Sequence, residues 1–249
     1  MNIRFDRMKA NIESFNKERA LQYDEESIFG RGDRNRQVEI LEDILSFKEC
    51  LPNQLIELGC GTGFFTQVLV SRYPTAHAVL FDASADMLNV ARGKFAKHSN
   101  LVYIETFLQQ IRWENIPKAD IVFSSLTIHH LTDREKNSLY ERIYENLNDD
   151  GQFIYFDQFK NEEDTGNELL EYLSCKDIQR RLLNYIGTDV VIPELEIGNI
   201  IEKDRVVKKG ENDQEQDIGQ AILALKRAKF SLVSTVYQEG RFYAIVAFK

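Results

Sequence analysis

The sequence predicts an α/β fold: a doubly wound, mostly parallel sheet with helices on both faces and an antiparallel last strand. Three observations predict it. From Gln54 onward short apolar runs alternate with amphipathic segments, the pattern of successive βα units. A glycine-rich turn, Gly59-Cys60-Gly61-Thr62-Gly63, stands between the first apolar run and the helix after it. The chain closes on two apolar strands joined by the tight turn Gln238-Glu239-Gly240, a hairpin signal. With 249 residues, 43% hydrophobic and 29% charged, 13 Gly and only 4 Pro, the composition is that of a folded protein, one domain or one domain with a cap.

Residues 1 to about 50 read as helical. Met8, Ile12 and Phe15 share one face, and Val38, Leu41 and Leu45 repeat the spacing on a second segment. Between them lies a polar break, Phe29-Gly30-Arg31-Gly32-Asp33-Arg34, so residues 1–35 are expected to form a lid ahead of a main domain at 36–249. Leu55–Leu58 is the first strand, followed by a helix with Phe65, Val68, Leu69 and Arg72 on one side. Ala78–Asp82 is the second strand. Ser84 is suited to cap the next helix, with Asp86 in its first turn and Leu88, Ala91 and Phe95 facing inward.

Leu101–Ile104 is the third strand and Ala119–Ser124 the fourth. Leu139, Ile143 and Leu147 form the buried stripe of the helix that follows, and Asp149-Asp150-Gly151 turns the chain into a fifth strand, Gln152–Asp157. The alternation then breaks at 160–217, helical through Leu169–Leu183 and charge-dense from Glu202 to Asp217, which reads as a cap insertion. A helix from Ile218 to Ala228 leads into the strands Ser231–Tyr237 and Arg241–Phe248.

Forty acidic against 31 basic residues give a formal net charge of -9, which disfavours a nucleic-acid partner, since duplex binding calls for a basic face. No apolar run is long enough to span a membrane, and the N-terminus carries charges throughout, so a soluble cytoplasmic protein is expected. Three widely spaced cysteines, Cys50, Cys60 and Cys175, build no disulfide framework. Four histidines without ligand spacing predict no metal site. Nothing in the sequence specifies an oligomeric state.

The glycine turn carries the chemistry. Glycines between a strand and a helix let a ligand approach the main chain at a helix N-terminus. A dinucleotide fingerprint would place its third glycine where this chain has Phe64, which disfavours a nicotinamide oxidoreductase. The spacing here is Glu57-Leu58-Gly59-Cys60-Gly61-Thr62-Gly63, with an acid two residues before the first glycine, which suits a ligand bearing an ammonium and a carboxylate.

In this segment the chain resembles the class I S-adenosylmethionine-dependent methyltransferases, whose first motif has the form E-x-G-x-G-x-G. The resemblance runs from about Tyr23 to the C-terminus. It includes Ala83–Leu88, Asp120-Ile121-Val122 with Ser125 and His129-His130, Asn146–Gly151, and Arg227-Ala228-Lys229-Phe230. It implies a Rossmann-like transferase with S-adenosyl-L-methionine as cofactor, S-adenosyl-L-homocysteine as product, and a small-molecule methyl acceptor.

Carried over residue by residue, the resemblance places Gly59, Cys60, Gly61 and Gly63 against the methionine moiety, with Glu57 beside its ammonium or supporting the loop. Asp82 would take both ribose hydroxyls. Ala83 would be a further cofactor contact and Met87 would pack on the adenine, Ser124 or Ser125 would offer a backbone carbonyl near the ammonium, and Tyr23 would reach in from the lid. One position departs from the family pattern. Where an acid usually meets the adenine amino group, counting gives Phe107, so that either main-chain groups near Phe107 and Leu108 hold the base or Glu105 substitutes.

His129, His130 and Asp157, at the carboxyl ends of strands four and five, are the candidates for acid–base work. Arg31, Arg34 and Arg36 in the break, with Lys203, Arg205, Lys208 and Lys209 in the cap, would suit an anionic acceptor if they converge. Two other readings remain alongside methyl transfer: a carboxy-S-adenosylmethionine synthase-like enzyme with Arg205 on the carboxylate, and a non-catalytic cofactor-binding module.

Overall fold

Apolar runs in the strands are nearly continuous because the sheet is covered on both faces. In this computed structural model, which describes residues 15–21, 23, 33–47, 51–186, 202, 205, 206, 209, 210 and 213–249, successive strand residues alternate between two cores. Ile56, Val122, Phe153 and Tyr155 enter one core, and Leu55, Ile121, Phe123, Ile154 and Phe156 enter the other.

The strands are β1 (Gln54–Leu58), β2 (His77–Asp82), β3 (Leu101–Glu105), β4 (Ala119–Ser125), β5 (Leu147–Lys160), the two-residue β6 (Gln216–Asp217), β7 (Leu232–Glu239) and β8 (Phe242–Phe248). Their order is β3-β2-β1-β4-β5-β8-β7, with β6 beside β5. β1 to β5 pair in parallel, while β8 runs antiparallel to both neighbours, β5 and β7. The hairpin expected at the C-terminus is therefore present, its last strand inserted between β5 and β7.

Helices α1 (Arg34–Ser46), α2 (Phe64–Arg72) and α3 (Ala85–Lys94) precede or follow the first two strands, and α4 (Asp133–Asn146), α5 (Asp164–Ile186) and α6 (Ile218–Arg227) follow. Caps mark their starts: Asp33 accepts from the N–H groups of Asn35 and Arg36, Ser84 from Met87, and Thr132 and Glu135 form a reciprocal capping box. Leu88, Ala91 and Phe95 are buried as the periodicity predicts. The face assigned to α2 needs correction. Phe65 and Leu69 are buried, but Thr66 and Val70 join them and Arg72 is exposed, because its long charged side chain points away from the core. Leu147 is buried as expected, yet it begins β5 and does not end α4.

Met8, Ile12, Gly30, Arg31, Gly32, Lys203 and Lys208 lie outside the described residues. Among the described residues no helix is long and apolar enough to cross a membrane.

Candidate functional site

Strand order reverses between β1 and β4, both of which flank the same crevice, and open α/β sheets bind ligands outside the carboxyl ends of the strands at such a point. The glycine turn leaves β1 there. Gly59, Gly61 and Gly63 have φ of 74°, 55° and 85°, the left-handed region. Only one of the three is bare toward a ligand. A Cβ on Gly59 would stand 2.0 Å from Thr127 Oγ1, and one on Gly63 would stand 2.4 Å from Phe95 Cε2, so both keep space for neighbouring side chains. A Cβ on Gly61 would meet nothing within 4 Å.

Around Gly61 lies a cleft of about 1100 Å³, its open mouth included. Glu57, Gly59, Cys60 and Gly61 form its floor; Asp82, Ala83 and Met87 line the β2 side; Phe107, Leu108 and Thr106 line the β3 side. Ser125 and His130 come from the end of β4 and the turn after it, and Tyr23 closes from the N-terminal segment. Phe15 is also at the mouth, its carbonyl accepting from Ser84 Oγ at 2.7 Å and its ring edge-on to Tyr23 and His130.

Several expected residues stand elsewhere. Gly63 is not on the cleft wall, since its place at the N-cap of α2 turns it toward Phe95. Ser124 is fully buried and donates its hydroxyl to the Leu58 carbonyl at 2.9 Å, so Ser125 is the serine at the cleft. Glu105 is exposed and away from the lining, which leaves the Phe107–Leu108 segment as the β3 contribution. His129 and Asp157 lie behind the wall.

Asp82 is the anchor of the loop. Its Oδ2 accepts from the Gly61 N–H and its Oδ1 from the Ser84 N–H, both at 2.8 Å. Burial raises its carboxyl above the ordinary value, opposed by these backbone donors. With the Gly61, Ser84 and Ala83 N–H groups directed at it, the carboxylate still keeps acceptor capacity for a ligand hydroxyl. Glu57 is also buried, and burial pushes its carboxyl up to about 8 against the Thr66 hydroxyl, which donates to Glu57 Oε2 at 2.6 Å. It supports the loop by tying β1 to α2. Burial likewise pushes the Cys60 thiol well above its ordinary value, which suits an inert packing residue and not a nucleophile.

Behind His130 a second polar group is assembled. Asp157, with no exposed surface, receives the His129 backbone N–H at 3.0 Å and sits 2.5 Å from His129 Nδ1. Asp213, arriving from the segment before β6, places Oδ1 3.1 Å from His130 Nδ1 and 3.6 Å from His129 Nε2.

The described members of the two basic clusters do not converge. Arg205 is exposed on Glu171 at 2.6 Å, and Arg36 is exposed on Glu39 at 2.8 Å. Arg34 alone among the described members of the two clusters lines the cleft, with its guanidinium carbon 4.8 Å from the Phe64 ring centre and 5.3 Å from that of Phe65. Thr127, Asp213 and the cleft position of Arg34 are the features that pattern reading did not single out.

These residues fit S-adenosylmethionine. A methionine chain needs bare backbone where Gly61 offers open space, a ribose needs a carboxylate with acceptor capacity at the end of β2, and an adenine needs apolar walls such as Met87, Phe107 and Leu108 contribute to the cleft.

Residues 55–151 match a family model described as a methyltransferase domain. The chain is 34% identical over 123 residues to malonyl-[acyl-carrier protein] O-methyltransferase 1 of Ilyobacter polytropus, covering 49% of this chain and 43% of that protein. It is 25% identical over 199 residues to the carboxy-S-adenosyl-L-methionine synthase of Actinobacillus succinogenes, covering 79% and 77%. Among solved structures, human N-acetylserotonin methyltransferase in complex with SAM superposes with a TM-score of 0.54 at 18% identity, over 87% of this chain and 55% of that one. The chain spans less than half the length of the malonyl-[acyl-carrier protein] methyltransferase that it matches. Residues 55–151, from β1 into β5, thus match a methyltransferase domain, and the fold around them is shared with S-adenosylmethionine-dependent methyltransferase structures.

Proposed function

We propose that this protein transfers a methyl group to a small anionic acceptor. The observation that carries this reading is the meeting in one cleft of Gly61, Asp82 and the buried Arg34. S-adenosylmethionine supplies an activated methyl group when bound. The chain's own part is to hold both reactants in line, exclude water and move a proton. Gly61 and Asp82 hold the cofactor, Met87, Phe107 and Leu108 enclose its base, and Glu57 balances its ammonium.

Arg34, kept rigid over Phe64 and Phe65, supplies the acceptor's counter-charge. A relative named for malonyl-[acyl-carrier protein] supports an anionic acceptor. His130 receives the acceptor's proton, while His129 and Asp157 position it from behind. Residues 1–35 act as the lid and 160–217 as the cap that shape the acceptor pocket, consistent with Phe15 and Tyr23 at the mouth.

Turnover of a panel of carboxylate, phosphate and neutral acceptors tests this. Anionic acceptors should be preferred, and Arg34→Ala should lower their kcat/KM by about 10- to 100-fold, the loss of a charge-assisted contact. Preference for a neutral acceptor with kcat/KM unchanged in Arg34→Ala overturns the proposal.

The cofactor anchor has its own test. Asp82→Ala should weaken S-adenosylhomocysteine binding by about 1.5–3 kcal/mol in calorimetry, the value of hydrogen bonds to a charged group. Unchanged affinity in a folded variant removes Asp82 from the role.

A second reading is favoured by the breadth of the match to the carboxy-S-adenosylmethionine synthase, 79% of this chain. In that reading Arg34 meets a carboxylate on the cofactor itself, in place of the solvent-facing Arg205. Mass spectrometry of the ligand carried through purification separates the two. A carboxylated S-adenosyl species supports the second reading, and S-adenosylmethionine or S-adenosylhomocysteine supports the first.

A further inference from the structure

His129 and His130 are adjacent in sequence, and Asp213 comes from a distant segment, yet each offers a ligand atom within 4.8 Å of the other two. We infer that His129, His130 and Asp213 form a binding site for one divalent cation of the zinc class, at the wall of the cleft.

Geometry supports the inference first. A cation held at bonds of about 2.0–2.2 Å keeps neighbouring ligand atoms about 2.9–3.5 Å apart, depending on tetrahedral or octahedral arrangement. Asp213 Oδ1 stands 3.1 Å from His130 Nδ1 and 3.6 Å from His129 Nε2, at or near that spacing, and the three ligand atoms all lie within 4.8 Å of one another. The imidazole rings lie 4.1 Å apart, centre to centre, and are tilted by 57°.

The surroundings support it second. Metal-bound histidines usually give their other ring nitrogen to a carboxylate, which fixes the tautomer and the orientation. His129 does so: Nδ1 lies 2.5 Å from Asp157 Oδ1, which leaves Nε2 directed at Asp213. Asp157 is itself fixed by the backbone N–H groups of His129 and Gln158. The segment bearing Asp213 is pinned as well. Gln214 N–H donates to the His129 carbonyl at 2.7 Å, Lys136 donates to the Gln214 carbonyl, and the Tyr140 hydroxyl donates to Gln216 at 3.2 Å. The carboxylates of Asp157 and Asp213 together balance two positive charges.

Two imidazoles and one carboxylate suit borderline first-row cations and not magnesium or calcium, which take all-oxygen shells. Histidine spacing along the chain carries no sign of this site, because the third ligand, Asp213, comes from across the fold. The site does not depend on the methyl-transfer reading. Its consequence does rest on that reading: with a cation on His130, an acceptor hydroxyl beside it would lose its proton through the cation's charge and not to a free imidazole.

Protein stripped with a chelator and dialysed should bind one Zn²⁺ per chain in calorimetry, and Co²⁺ with a visible absorption band. His130→Ala and Asp213→Asn should each weaken binding at least about 100-fold, and Asp157→Asn about 10- to 100-fold, the usual effect of losing a supporting carboxylate. His77→Gln, at an exposed residue remote from the cluster, should change nothing. X-ray absorption on the zinc-loaded wild-type protein provides a measure independent of any variant's folding, and should show two imidazoles in the first shell. Binding weaker than millimolar, binding unchanged in folded His130→Ala and Asp213→Asn, or a zinc shell without two imidazoles overturns the site. S-adenosylhomocysteine binding, measured in parallel, reports on the cofactor reading separately.

Discussion

Replacing Asp157 by alanine is expected to lower the unfolding free energy by about 3–5 kcal/mol, the cost of removing one partner from a buried, hydrogen-bonded polar pair. The carboxylate has no exposed surface and accepts from two backbone N–H groups, those of His129 and Gln158, while facing His129 Nδ1. Alanine leaves those three buried groups without that acceptor. Asp157→Asn should cost less, because its amide oxygen still accepts one backbone donor. Urea denaturation of the three proteins measures the series, and an alanine variant with an unchanged midpoint would show that the pair contributes nothing.

The second large effect concerns Glu57 and pH. Burial pushes its carboxyl from the ordinary value of 4.5 up to about 8. The folded protein therefore holds this proton more tightly than the unfolded chain does. Stability should be greatest below the ordinary carboxyl value and should decline as pH rises through the window from 4.5 to 8. Above that window the full cost is about 5 kcal/mol. Glu57→Gln keeps an acceptor for the Thr66 hydroxyl and removes the titration.

The variant should accordingly match the wild type near pH 5 and exceed it in stability at pH 9. Binding should move the other way. A ligand ammonium favours the ionised carboxylate, so wild-type affinity for S-adenosylmethionine should rise between about pH 6 and 8 with release of a proton, and the variant should lose both the affinity and the rise. Denaturation at the two pH values, with calorimetry in buffers of different ionisation enthalpy, reads both effects. The same pH dependence in the variant would assign the titration to another group.

What the sequence determined by itself is what local geometry encodes. Short, nearly continuous apolar strands between amphipathic helices set the sheet, because a chain that buries both faces of each strand has few other solutions. The glycine turn was legible because a strand-to-helix turn with left-handed φ needs glycine within a few residues, and Asp82 because it ends the next strand. Ser84 could be read as a cap from its place before an apolar stripe.

Tertiary structure decided the rest. Which of Ser124 and Ser125 meets the cleft depends on which face each strand residue takes, and with both faces apolar the pattern carries no marker for it. Gly59, Gly61 and Gly63 look equivalent in sequence, yet two make room for Thr127 and Phe95 and one faces open space. Arg34 and Arg36 are two residues apart on a helix, which sends them to nearly opposite sides, so one lines the cleft and the other pairs with Glu39 in solvent. Asp213 reaches the histidines only because β6 adds to the end of β5 and carries the preceding residues back over the site. Pairing between segments so far apart is fixed by the packing of the whole sheet, and no local periodicity records it.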